Sequence, residues 1–187
     1  MTDLRHTIPD WGTLVDRVCL LSTHKDSKLH GVHHWQCVAW TGLQLLPEVP
    51  KADPAIVLLF ALFHDAMRVH DGHDPDHGRR GGKLARQLNG TSFHLSEERM
   101  ALLQAACYGH NESWTTRDPT GGVCWDADRL NLWRCGVRPD PARLCTAAAR
   151  QHKRILWARG LMTQHFDWDI IFSEYDRSMW REYAAAV

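Results

Sequence analysis

Apolar residues recur every three or four positions along most of the chain, and no stretch of strict alternation is long enough to indicate a strand. This pattern predicts an all-α protein. Start and stop signals such as Asp53-Pro54 and Asn89-Gly90 divide the chain into helices. The predicted helices cover residues 11–22, 28–46, 55–69, 79–88, 96–108 and 123–135, with a seventh from 140 onwards. The last forty residues or so are expected to be helical or irregular.

The segments between these helices are predicted to be loops. Residues 70–78 and 111–122 are rich in Gly, Pro, Asp and Thr, which is typical of turns. No linker, repeat or low-complexity segment interrupts the chain, so we expect one domain over residues 1–187, long enough to bury a substantial core. The expected architecture is a single compact helical bundle in which the two loops flank a site.

Charge and composition narrow the functional class. Twenty-two basic residues balance twenty-two acidic ones, so no net field attracts nucleic acid or an anionic membrane. The longest apolar run, residues 55–63, is far shorter than the roughly 18 to 20 residues of a membrane span, and the N-terminus lacks a secretion leader. Six scattered cysteines without a CxxC pair indicate a reducing compartment. We therefore expect a cytoplasmic protein that binds neither a nucleic-acid polymer nor a membrane.

The thirteen histidines add candidate chemistry, because several of them lie beside aspartates. Four short segments cluster histidines, aspartates or both: residues 30–35, 63–65, 74–78 and 125–130. Divalent metals are held by neutral imidazoles and ionised carboxylates that converge from different parts of a fold. The four segments are therefore candidates for a metal site.

His64-Asp65 is the strongest of these signals. It follows the apolar run at residues 55–63, which we expect to pass through the core. An ionised aspartate buried there without a partner is very costly, and a metal ion would remove that cost by supplying the opposite charge. The alternative is that the helix reaches the surface at His64.

In this order and helical context, the motifs resemble the HD-domain superfamily of metal-dependent phosphohydrolases. The resemblance covers about residues 27–140, with a first histidine four residues before an apolar residue (His34 and Val38), the His64-Asp65 doublet and the sequence Asp128-Arg129-Leu130. It implies a helical HD-type fold and a divalent metal: Mn, Fe, Co, Ni or Zn, with Mg as a further candidate. The ligands that it implies are His34, His64, Asp65 and Asp128.

Near-duplicates leave alternatives open within this set. His30 or His33 could replace His34, and Asp126 could replace Asp128. In a helix from residue 28, His30 shares the face of His34, whereas His33 lies about 100° round the axis. His30 is therefore the better alternative, or else a residue that contacts the substrate.

The implied reaction is hydrolysis of a small phosphate ester, with a nucleotide as the leading candidate, by a water molecule that the metal activates. Asp65 would bind metal and help to orient that water. Arg68 stands where several nucleotidase-like relatives carry an acidic residue, so their acid–base mechanism does not transfer directly. Arg68 suits a phosphate, and its alternative role is an ion pair with an aspartate such as Asp71.

Further residues are candidates for contacts with the substrate or a second metal. Arg79 and Arg80 begin a predicted helix, where free backbone N–H groups favour an anion, and the alternative is a solvated basic helix start. Arg129 and His110 are further substrate candidates. We expect one metal, with His77 and His110 as candidate ligands of a second, although His110 would also suit a helix C-terminus as a cation.

Two other functions fit the same residues. A di-iron site built from the extra histidines could activate oxygen, as in a few members of the superfamily. A non-catalytic module could bind metal and nucleotide as a sensor. The expected partner in the leading hypothesis is a small phosphorylated substrate, and the sequence does not indicate an oligomeric state.

Overall fold

The computed structural model describes residues 7–185, and it describes side chains up to residue 176. Within this part of the chain, α-helices follow one another without a named strand, so the prediction of an all-α fold is confirmed. They are α1 (Trp11–Leu21), α2 (Val32–Leu45), α3 (Pro54–Phe63), α4 (His77–Leu88), α5 (Glu97–Gly109), α6 (Pro119–Leu130), α7 (Ala147–Arg150), α8 (His152–Gly160) and α9 (Trp168–Ala185). Single 3-10 segments lie at Leu46–Glu48, Asn131–Cys135, Pro141–Arg143 and Leu161–Thr163.

Helix α3 forms the centre of the core. Asp53 caps it by accepting hydrogen bonds from the N–H groups of Ala55 and Ile56, and every residue from Ala55 to Phe63 is buried. Helices α2, α5 and α6 pack around it. Each large apolar side chain buried in this way contributes about 1.5–3 kcal/mol, so α3 is held firmly in place. Its C-terminal end therefore lies inside the protein.

Helices α2 and α3 are both shorter than predicted. Helix α2 begins at Val32 rather than near residue 28, because the Ser27 hydroxyl accepts hydrogen bonds from the N–H groups of Leu29 and His30 and stabilises a turn there. Helix α3 ends at Phe63 rather than near residue 69, and a turn follows it. His30 and Arg68 therefore lie in turns, not on the helix faces predicted for them.

Two other helices begin earlier along the chain than predicted. Helix α4 begins at His77, and α6 begins at Pro119 rather than at residue 123. For α6 the reason is an N-cap: the Asp118 carboxylate accepts a hydrogen bond from Gly121 N, and proline suits the first helical position. The predicted seventh helix at Asp140-Pro141 is a single 3-10 turn. No helix of the described residues is long and apolar enough to cross a membrane.

Two glycines allow three backbones to meet at the end of α3. A Cβ atom on Gly78 would clash with the carbonyl oxygen of Cys107 and lie 2.9 Å from the ring of His110. A Cβ atom on Gly81 would clash with the carbonyl oxygen of Phe63. Helix α4 therefore approaches both α3 and α5 more closely than it could if either glycine were replaced by another residue type.

Candidate metal centre

Three elements of the core bring together the four ligands implied by the family resemblance. His34 lies in the first turns of α2, His64 and Asp65 follow α3, and Asp128 lies near the end of α6. His34 Nε2 lies 3.2 Å from His64 Nε2, 3.2 Å from Asp128 Oδ1 and 3.6 Å from Asp65 Oδ2. Their side chains are buried, with Asp128 the most exposed at 14%.

A second group of ligand atoms adjoins the first. His77, the first residue of α4, and His110, which follows α5, place their Nε2 atoms 2.9 Å apart. These atoms lie 3.2 Å and 3.9 Å from Asp65 Oδ1. All three side chains are buried.

Asp65 joins the two groups, because its two oxygens face different pairs of imidazoles. Oδ2 faces His34 and His64, and Oδ1 faces His77 and His110. Two sets of three residues that could hold a metal thus share this one carboxylate.

Backbone carbonyls orient three of the four rings. His64 Nδ1 lies 3.1 Å from the carbonyl oxygen of Ala61, and His110 Nδ1 lies 2.7 Å from that of Cys107. His77 Nδ1 contacts the carbonyl oxygen of Asp74. A carbonyl can only accept, so Nδ1 donates and, in the neutral ring, Nε2 directs its lone pair into the cluster. Ligating histidines are commonly oriented in this way.

His77 Nδ1 also lies 3.0 Å from Arg68 Nη1. The ring nitrogen cannot donate to the carbonyl and accept from the guanidinium at once. We assign its hydrogen to the carbonyl of Asp74, because the alternative would press two lone pairs together at close range.

The protonation states suit a metal. Burial, followed by the charge of Arg134, lowers the pKa of His34 to about 3, and burial lowers the pKa of His110 to about 4, with the neighbouring His64 adding to the effect. Burial works to raise the pKa of Asp65, but the surrounding imidazoles, His64 foremost, more than reverse this and hold it well below its ordinary value. Near neutral pH, Asp65 is therefore ionised, and the rings of His34 and His110 are neutral.

Two unpaired carboxylate oxygens and the distances between the candidate ligand atoms both fit bound cations. Among the described residues, Asp65 Oδ1 and Asp128 Oδ1 are buried oxygens that accept no hydrogen bond. A buried carboxylate oxygen without a partner is costly. Adjacent ligand atoms on one metal lie about 3.0–3.4 Å apart when metal–ligand bonds are about 2.1 Å long. The separations of 3.2–3.6 Å around His34 lie close to that range.

The structure separates the two aspartates of α6. Asp128 faces His34, whereas Asp126 accepts hydrogen bonds from the backbone N–H groups of Cys145 (2.6 Å) and Thr146 (2.7 Å). Asp126 therefore attaches the segment before α7 to α6 and does not face the cluster. Its neighbour two positions away, Asp128, faces the cluster instead.

The structure also distinguishes His34 from its two alternatives, His30 and His33. His33 Nε2 contacts the carbonyl oxygen of Gln164 at 2.9 Å, on the far side of α2. His30 donates from Nδ1 to Asp71 Oδ1 at 2.8 Å. Neither ring belongs to a group of ligand atoms in the part of the chain that the structure describes.

The cluster lies at the floor of a cavity of about 390 Å³. Asp65, Asp128, His77 and His110 line the floor, and His30 lies in the wall. The remaining wall is rich in arginine, with Arg68, Arg129, Arg134, Arg138 and Arg143 among the lining residues. The protein has no net charge, so this concentration of cations is a local feature that favours an anionic ligand.

The predicted substrate residues differ in their access to this cavity. Arg68 lines it: Nη2 donates to the carbonyl of Gly72, Nη1 lies 3.6 Å from Asp65 Oδ1, and Nε is buried without a hydrogen-bond partner among the described residues. The predicted alternative, an ion pair with a nearby aspartate, is formed with Asp65 rather than with Asp71, which accepts hydrogen bonds from His24, Ser27 and His30.

Three other arginines do not have the expected access. Arg79 is exposed and lies over the ring of Tyr108, and Arg80 donates to Asp74 and to the carbonyl of Met67. Neither is among the residues that line the described cavity. Arg129 lines it, but its guanidinium donates to backbone carbonyls of His110, Ser113, Trp114 and Arg143. Arg129 thus joins loops and has little capacity left for a substrate.

Two arginines that were not among the predicted site residues, Arg134 and Arg138, also line the cavity. Arg134 Nη2 lies 3.7 Å from Asp128 Oδ1. In a continuous α-helix, Arg134 would lie about 120° from Asp128, but the 3-10 segment after Leu130 reduces this to about 40°. The position of Arg134 was missed because the sequence pattern did not indicate that the helix tightens into a 3-10 segment at Asn131.

A solved structure shares this arrangement of helices. It is a predicted HD superfamily hydrolase from an uncultured Thermotogales bacterium, and it aligns with a TM-score of 0.58 and 23% sequence identity over 96% of this chain and 98% of its own. The chain has an HD-domain fold. No protein-family model matches the sequence, and no curated protein matches it significantly. The HD-domain fold thus agrees with the resemblance drawn from the His and Asp motifs.

Proposed function

We propose that this HD-domain protein is a metal-dependent phosphohydrolase that acts on a small phosphate ester. The observation that carries the proposal is the position of Asp65, whose two oxygens face two pairs of imidazoles at the floor of an arginine-lined cavity. The hydrolase description of the similar Thermotogales structure supports the same reaction class.

We propose two metals rather than the single one expected from sequence. His34, His64 and Asp128 would hold one, His77 and His110 the other, and Asp65 would bridge them. The Nε2 atoms of His77 and His110 lie 2.9 Å apart, so their lone pairs repel each other unless a proton or a metal ion lies between them. Bound metals would supply an activated water and polarise the phosphoryl group.

The chain's own residues would position the substrate. Arg68, which lines the cavity and places Nη1 3.6 Å from Asp65 Oδ1, would donate hydrogen bonds to the phosphoryl oxygens. Arg134 lies beside Asp128 and would both hold that carboxylate and add positive charge next to the reacting group. Arg138 and Arg143, further along the wall, would attract a substrate of negative charge. A nucleotide is the substrate class that we propose to test first.

The experiment has two stages. Protein purified without chelator is analysed for metal content, and we expect two metal ions per chain. Chelator-stripped protein is then given Mn, Fe, Co, Ni, Zn or Mg together with phosphomonoesters and phosphodiesters, and phosphate or alcohol release is measured. Metal-dependent release from at least one ester supports the proposal. Protein that binds no metal and releases no product with any ester would overturn it.

A di-iron oxygenase is the second candidate, because four imidazoles and two carboxylates also suit iron. The same experiment separates the two functions. Protein that retains iron, consumes oxygen with an added organic substrate and releases no phosphate from any ester would favour the oxygenase.

A further inference from the structure

His30 is held in place more tightly than a turn residue requires. Its backbone N–H donates to Ser27 Oγ at 3.0 Å, and its carbonyl accepts a hydrogen bond from the buried Trp35 Nε1 at 2.7 Å. Its ring donates from Nδ1 to Asp71 Oδ1 at 2.8 Å. These three contacts fix the backbone and the ring of a buried residue in the wall of the cavity.

Asp71 belongs to a small network across two turns. Its Oδ1 atom also accepts from Ser27 Oγ at 2.5 Å and from His24 Nε2 at 3.0 Å. The ionised carboxylate can only accept, so Nδ1 of His30 carries a hydrogen. In the neutral ring, the remaining nitrogen, Nε2, is then an acceptor. The network thus determines which nitrogen of His30 is available to the cavity.

Arginine N–H groups predominate among the polar groups of the wall, where His30, Asn111 and Asp140 are the side chains that can accept a hydrogen bond. Arg68, Arg134, Arg138 and Arg143 all present N–H groups and suit anionic oxygens. The carboxylates of Asp65 and Asp128 face the imidazole cluster. His30 therefore suits a hydrogen-bond donor on the ligand, which a phosphate without a hydroxyl or amino group does not provide.

We infer that His30 determines specificity by accepting a hydrogen bond from a hydroxyl group on the alcohol part of the phosphate ester, and that Asp71 positions it. The substrate class is then a polyol or sugar phosphate, including a nucleotide through its sugar. This inference rests on the proposed phosphohydrolase function. Sites built to bind a hydroxyl discriminate strongly against analogues that lack it, because a buried polar group is otherwise left unpaired.

The test compares kcat/KM for glycerol 3-phosphate and ribose 5-phosphate with that for propyl phosphate and phenyl phosphate. We expect metal-loaded wild-type protein to prefer the hydroxylated esters by roughly 10- to 100-fold. His30→Leu should lose that preference, because its kcat/KM falls far more for the hydroxylated esters than for propyl phosphate and phenyl phosphate. His24→Leu is the matched control: it also removes a bond to Asp71 Oδ1, but from a residue outside the lining of the described cavity, so the preference should remain.

Asp71→Ala provides a second variant and tests the positioning role. It should lose the same preference, and the double variant with His30→Leu should lose no more than either single change. A wild type that treats all four esters alike, or a His30→Leu variant that slows all four equally, would overturn the inference while leaving hydrolysis established. Failure to hydrolyse any ester with any metal would instead overturn the proposed function, and this inference with it.

Discussion

The two halves of the candidate metal centre are built in different ways. His34 and Asp128 lie within α2 and α6, and His64 follows α3, three helices that pack on one another in the core. His77 and His110 lie at the start of α4 and just after α5, where the close approach at Gly78 brings two backbones together. The first half thus depends on the packing of apolar helices, whereas the second depends also on the close approach that glycines such as Gly78 permit. The two metals should therefore respond differently to substitution.

Loss of the shared carboxylate should have the largest effect, because it belongs to both halves. Asp65→Ala should remove both metals and lower kcat/KM by roughly 10³-fold or more, beyond the typical effect of removing one electrostatic stabiliser. Metal content and phosphate release measure this directly. If Asp65→Ala keeps two metals per chain, the bridging role that unites the halves is wrong.

Removal of one imidazole from each half should separate them. His77→Ala should reduce the metal content from two ions to one and lower kcat by roughly 10²-fold, because a single metal polarises the phosphoryl group less. His34→Ala should remove the other ion. Elemental analysis of the two variants, with circular dichroism to confirm folding, makes the comparison. Loss of both ions in each variant would show that the halves bind metal as one cooperative unit.

Gly78→Ala should weaken only the second half. The added Cβ atom clashes with the Cys107 carbonyl and pushes α4 away from His110, at a cost of about 1–3 kcal/mol in the free energy of unfolding. We expect weaker binding of the second metal and about a tenfold loss of activity, within the range for misplaced metal ligands. Gly160→Ala is the control, because a Cβ atom there meets nothing within 4 Å. Equal metal binding in the two variants would contradict this account of the second half.

Asp126→Ala should have the smallest effect on activity, although it lies two residues from a ligand. It leaves the N–H groups of Cys145 and Thr146 without their acceptor, so the free energy of unfolding should fall by about 1–3 kcal/mol. Thermal denaturation measures this loss. Metal content should stay at the wild-type value; if Asp126→Ala alone strips a metal, the assignment of ligands on α6 is wrong.

The contrast between the two halves of the metal centre also explains which parts of the site could be predicted from the sequence. The periodicity of apolar residues was sufficient for the all-α fold, whereas the set of His34, His64, Asp65 and Asp128 came from the family resemblance, and the structure brings these four residues together. His77 and His110 were recognised only as candidates, because their approach depends on a glycine contact between α4 and α5 that no periodicity encodes. Roles of the site residues remain proposals that the experiments above test.

Side-chain partners explain most of the remaining differences. Arg79 and Arg80 were placed correctly at a helix start but point to Tyr108 and Asp74 rather than to the cavity. Asp126 and Asp128 are the same residue type on the same helix, and their different partners decide their roles. Such choices depend on what lies opposite each side chain in the folded protein, which a linear pattern does not contain.

Arg129 has a consequence for how this cavity can change during evolution or design. One buried guanidinium joins four carbonyls that belong to the end of α5, the loop after it and the chain near Arg143. A longer or shorter loop would pull at least one carbonyl away from this common cation and leave it unpaired. We therefore expect new substrate preferences to arise by exchange of side chains such as Arg138, with the loop lengths held constant.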